Sequence, residues 1–82
     1  MIAPSKSDPI LPLEKMKINQ VADVVEVIGA TAEIQRLSEM GLHSGTRIRM
    51  LKSGTPCLLA LDGKRLSIRL SQDVDVYVLA NN

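Results

Sequence analysis

Eighty-two residues with 45% apolar side chains describe one small domain, since a chain this short buries only about 60–65% of its unfolded surface and has no room for a second core. Tyr77 is the only aromatic residue and Cys57 the only cysteine, so the core is aliphatic, and an internal disulfide or multi-cysteine metal site is excluded. The net charge of +1 hides a basic middle: residues 31–70 carry seven Lys and Arg against three acids, a distribution that favours an acidic partner surface.

The first twelve residues, MIAPSKSDPILP, contain three prolines and no hydrophobic period, which predicts a flexible leader with a P-x-x-P stretch from Pro9 to Pro12. The domain is expected over residues 13–80. Next, ADVVEVIG is rich in Val and Ile and stops at Gly29, and so reads as a strand. Simple alternation puts Val25 and Val27 on one side and Val24, Glu26 and Ile28 on the other. Thr31 is then placed to cap a helix from about Ala32 to Met40, with Glu33 in its positive first turn. Gly41 offers the left-handed residue that ends this helix, and Leu42 is positioned to fold back on Leu37.

The segment after Gly41 separates two fold classes. A helix-turn-helix would continue as a second helix through Thr46 to Gly54. TRIRM instead alternates with period two, setting Ile48 and Met50 on one face and Arg47 and Arg49 on the other. Gly54 and Pro56 would also break such a helix early, so a strand is expected. The hairpin CLLALDGKRLSIRL follows, turning on Asp62-Gly63, the preferred pair for a two-residue type I′ loop. That loop pairs Leu61 with Lys64, Leu59 with Leu66, and Cys57 with Ile68. One hairpin face is then Cys57, Leu59, Leu61, Leu66, Ile68 and Leu70, and the other carries Leu58 and Ala60 beside Arg65, Ser67 and Arg69. SQD reads as a tight turn, and VDVYVL as a last strand with Val74, Val76 and Val78 aligned. Five short strands and one helix between the first two fit a mainly β fold, a small closed or half-closed barrel.

Chemistry is sparse. His43 is the only histidine and sits on a turn, and Cys57 falls on the predicted core face, so a catalytic dyad has no third group to orient it. Asp73 and Asp75 make one carboxylate pair without histidine support, so no dedicated metal site is expected. No phosphate-binding G-x-x-x-x-G-K-[ST] loop occurs, and one aromatic residue is too few for base stacking or a Pro-rich ligand groove. The longest apolar run, CLLAL, is far below the roughly 20 residues of a membrane span. No apolar stretch follows a basic start, so no secretory signal is expected and the location is taken as cytoplasmic. What remains is a surface for a partner, with Arg47, Arg49, Arg65 and Arg69 on outer faces beside Leu58 and Ala60.

RLSEMGLHSGTRIRML resembles the central motif of the FeoA family (ferrous iron transport protein A), R-L-x-E-x-G-L followed after two residues by G-T and an alternating strand. GKRLSIRL is similar to the family's hairpin return, and PLEKMK to its opening stretch, so the likeness runs from Leu13 to Val78. Three places depart from the pattern: Ile18-Asn19 stands where Pro-Gly is usual, KSGTP is shorter than the usual loop, and Ser44 replaces a proline before Gly45. The resemblance implies an SH3-like barrel and a non-enzymatic accessory role in ferrous iron transport. It also implies a protein–protein adaptor or regulator on the cytosolic, GTPase-bearing part of a FeoB-type transporter. On that reading the contact residues are Arg36, Glu39 and His43 of the helix–turn segment, with Arg47, Arg49, Leu58, Arg65 and Arg69. No cofactor, nucleic acid or membrane insertion is expected, while self-association stays open. The alternative is a regulatory module working with a metal-dependent transcriptional repressor, as related domains do inside longer chains.

Overall fold

A computed structural model describes residues 10–70 and 74–81. Six strands form one antiparallel sheet: β1 (Ile10–Pro12), β2 (Val21–Gly29), β3 (Arg47–Lys52), β4 (Cys57–Leu61), β5 (Lys64–Ile68) and β6 (Val74–Asn81), in the order β1-β6-β2-β3-β4-β5. A single 3-10 turn (Leu13–Lys15) follows β1, and α1 (Thr31–Glu39) joins β2 to β3. This is a small SH3-like fold with six strands where five were expected. The inner face of the bent sheet closes on one aliphatic cluster, in which Leu13, Leu42, Met50, Leu59 and Val78 are fully buried. No polar or charged residue is buried among the described residues.

The added strand is β1. The sequence places Ile10–Pro12 in a flexible leader, yet these residues pair with β6, Leu11 facing Val78 and packing on the core. A three-residue strand ending in proline is tolerated because β1 lies at the sheet edge, where a missing N–H breaks no inner ladder. Three residues are too few to show a period, so the sequence had no signal for it. The P-x-x-P stretch begins at Pro9, and the SQD turn covers residues 71–73. Both therefore reach outside the described residues.

Helix α1 ends as the sequence predicts and begins differently. Gly41 takes φ +100°, its N–H donates to Ser38 O at 2.9 Å, and the Leu42 N–H donates to Leu37 O at 2.9 Å. These are the two bonds of a Schellman stop, and they bury Leu37 and Leu42 together. At the other end Thr31 is inside the helix. Ala30 holds the extended cap position and offers no side-chain bond. Glu33 does sit in the first turn, as expected, and also pairs with Arg36, 2.7 Å away.

Strand β2 also departs from simple alternation. Its register against β6 shifts between Val24 and Glu26, so Val25 is the extra residue of a bulge. Val24 is buried and Val27 half-buried on the inner side, while Val25 and Ile28 are 38% and 46% exposed. Val25 and Val27, expected to share a face, are thereby separated. The turn after α1 clamps the bulge: Gly45 N–H donates to Val24 O (2.8 Å), Val24 N–H to Thr46 O (2.8 Å), and Ser44 Oγ to Val25 O (3.0 Å). A proline at position 44 would lack that hydroxyl donor. At the start of β2, Asn19 adopts φ 70° and donates its N–H to Met50 O, supplying the left-handed turn without a glycine.

Candidate partner-binding surface

The expected hairpin register is the observed one. Leu61 faces Lys64, Leu59 faces Leu66 and Cys57 faces Ile68, with Asp62 and Gly63 at φ 50° and 77° in the loop. Strand β3 adds its outer face. Arg49 lies opposite Ala60, and Ala60 lies opposite Arg65, so one row across three strands reads Arg–Ala–Arg. The next row is Lys52, Leu58 and Ser67. Arg69 follows β5 on the exposed side. The sheet thus brings together Arg49, Leu58 and Arg65, with Arg69 exposed one residue past the end of β5.

Arg47 belongs to the same face but is partly committed. It lies opposite Asp23 of β2, and its Nε donates to Asp23 Oδ1 at 3.0 Å. That hydrogen bond, reinforced by the carboxylate's charge, holds the Arg47 guanidinium above its ordinary pKa. Arg36 and Glu39 stay on α1, both exposed, and Arg36 is occupied by Glu33. Neither shares a hydrogen bond or ion pair with the arginine row among the described residues.

His43 is held locally by the turn, with Nδ1 3.1 Å from Ser44 O and 3.3 Å from Thr46 Oγ1. One proton on Nδ1 serves both acceptors. The ring stands between two shallow depressions, one shared with Arg47 and Asp62 and the other with α1 and the β2 bulge. The second, of about 380 Å³, is lined by Val25, Val27, Ile34 and Leu42. Sequence reasoning missed this groove, because it exists only where the bulge turns Val25 outward.

Cys57 lines a separate cleft of about 280 Å³, with Glu14, Met50, Thr55, Ile68 and Asp75. Burial pushes its thiol above the ordinary pKa, and the nearby Glu14 carboxylate adds to the shift. The thiol is therefore protonated at neutral pH, a poor nucleophile and a poor ligand. His43 and Cys57 line different clefts. No group of three or more His, Cys, Asp or Glu side chains able to hold a metal ion occurs among the described residues. No helix there is long and apolar enough to cross a membrane.

Comparison with known proteins fits this architecture. A crystal structure of an iron uptake regulatory protein (FeoA) superposes with a TM-score of 0.74 and 31% identity, covering 87% of this chain and all of that one. The solution structure of the FeoA protein from Chlorobium tepidum gives 0.71 and 26% identity over 88% of this chain and 73% of that chain. A search of curated proteins gives no match. The family model of the FeoA domain matches residues 11–78, nearly the whole sheet and its helix. This chain belongs to the FeoA family.

Proposed function

We propose that this protein is a non-enzymatic accessory factor of ferrous iron transport, acting in the cytoplasm as an adaptor on the GTPase-bearing domain of a FeoB-type transporter. The observation that supports this reading is the Arg49–Ala60–Arg65 row with Arg69 beside it. None of these three arginines has a carboxylate within ion-pair distance among the described residues, whereas Arg36 and Arg47 each have one. Exposed guanidinium groups around small apolar side chains form a surface that an acidic partner completes, since arginine pairs planar carboxylates bidentately. The side chains of the clefts favour recognition over chemistry, because the one thiol is protonated and the one imidazole is held by its own turn.

The test is an amide NMR titration with the transporter's isolated cytosolic domain. Shifts should concentrate on Arg47–Lys52 and on Leu58 to Arg69. Arg65→Ala with Arg69→Ala should weaken binding by about tenfold or more while the melting temperature stays unchanged. Unaltered affinity in the double variant removes the hairpin from the interface.

A further inference from the structure

Strand β5 ends the sheet. It pairs with β4 on one side and has no strand neighbour on the other among the described residues. The two-residue hairpin determines which backbone groups point where. The closing pair Leu61 and Lys64 is hydrogen-bonded, so Lys64, Leu66 and Ile68 aim their N–H and C=O groups at β4. Arg65 and Ser67 aim theirs away, as a row of free donors and acceptors.

A second feature lies along the same edge. Leu66 occupies a core-facing position yet is only half-buried, and with Met40 and Leu61 it lines a small pocket of about 180 Å³ rimmed by Lys64 and Arg65. The edge therefore offers three things in register: backbone groups to pair, an apolar pocket on the inner side, and cations on the outer side.

We propose that β5 accepts an added strand from a partner segment in which acidic and apolar residues alternate. Such addition takes affinity from main-chain hydrogen bonds and specificity from pockets for alternate side chains. A residue hydrogen-bonded opposite Arg65 or Ser67 shares the outer face, where an Asp or Glu meets Arg65 and Arg69. Its neighbours point inward, and an aliphatic side chain there fills the Met40–Leu61–Leu66 pocket. A second copy of β5 is a poor occupant, because it would bring Lys64, Arg65 and Arg69 against their own kind. The inference rests on the arginine face being the partner-facing one, and adds how the partner is held.

Two probes separate it from that reading: the transporter's isolated cytosolic domain, and a synthetic peptide of alternating Glu and Val about ten residues long. A Lys–Val peptide is the control. The domain and the Glu–Val peptide should both slow amide exchange at Arg65 and Ser67, and the control should not. Ser67→Pro removes an outward N–H while sparing the β4 ladder, so the fold should survive and both probes should bind about tenfold or more weaker. If the domain fails and the peptide binds this edge, the adaptor reading falls and strand addition stands. If the domain binds Ser67→Pro at full strength, strand addition falls and the adaptor reading stands. Arg65 and Ser67 amides already protected in the isolated protein, or protection by neither probe, would overturn the inference.

Discussion

The two halves of the sheet are built for different work. In the half formed by β1, β6 and β2, the central strand β6 is paired on both sides, and Val74, Val76 and Val78 lie buried beneath it. Its outer face mixes apolar groups with acids: Ile10, Tyr77, Leu79 and Ile28 beside Glu26 and Asp75. The half formed by β3, β4 and β5 carries the arginines outside and ends in an unpaired edge. Asp23 and Arg47 meet at the seam. Both halves bury one face, and the contrast lies in the outer face: apolar groups with acids on one half, and on the other arginines of which Arg49, Arg65 and Arg69 have no carboxylate partner among the described residues. Both halves end in an edge strand, but β1 is three residues long and ends in proline, whereas β5 is five residues long and carries cations beside its free edge.

Variants that probe this contrast should fall in order of burial. Leu59→Ala removes a fully buried side chain from the middle of the barrel and should cost about 2–5 kcal/mol in urea unfolding. Leu66→Ala faces the same core one strand further out, and should cost less, about 1–2 kcal/mol, because its side chain is already partly exposed. Equal losses would mean that β5 is as enclosed as β4. Gly41→Ala sets a side chain at φ +100° with its Cβ 3.0 Å from Leu61 Cδ1, and should cost about 1–2 kcal/mol from backbone strain. A smaller loss would show that Leu61 swings aside and the turn relaxes.

The smallest effect concerns Cys57. Its folded pKa is raised, so the folded state holds the thiol proton more tightly than the unfolded chain does. That contribution is complete below the unfolded value of about 8.5 and is lost as pH rises through the higher folded value. Stability should fall with alkaline pH more steeply in the wild type than in Cys57→Ala, read from melting temperatures at neutral and alkaline pH. Parallel curves would mean that the thiol ionises as freely in the barrel as in the unfolded chain.

Much of this architecture was readable from short segments. Asp62-Gly63 requires positive φ at both positions, which sets the hairpin register without help from the rest of the chain. Leu37, Gly41 and Leu42 specify the helix stop in the same way. The arginine face follows from period-two alternation, which sets Arg47 and Arg49 on the face opposite buried Ile48 and Met50, and Arg65 on the outer side of the hairpin. The pairing of β3 with β4 that aligns them comes from the fold. The helix start was misread. Thr31 is a good cap residue by type, but the chain enters the helix one residue earlier, at Ala30, and leaves Thr31 nothing to cap. Arg36 and Glu39 lie on the helix where their segment places them, exposed and apart from the arginine row.

Local residue chemistry therefore settled five of the six strands, the helix stop, the hairpin register and the alternation of charge with apolar side chains, because turn dihedrals and side-chain periods are properties of a few neighbouring residues. Three features depended on groups distant in the chain. Strand β1 exists because β6 offers a ladder and Leu11 finds Val78. The bulge at Val25 exists because Ser44 and Gly45 satisfy its carbonyl groups from the far side of a helix. Leu66 is partly exposed because no described strand lies beyond β5, and only the assembled sheet reveals which strand has been left at its edge.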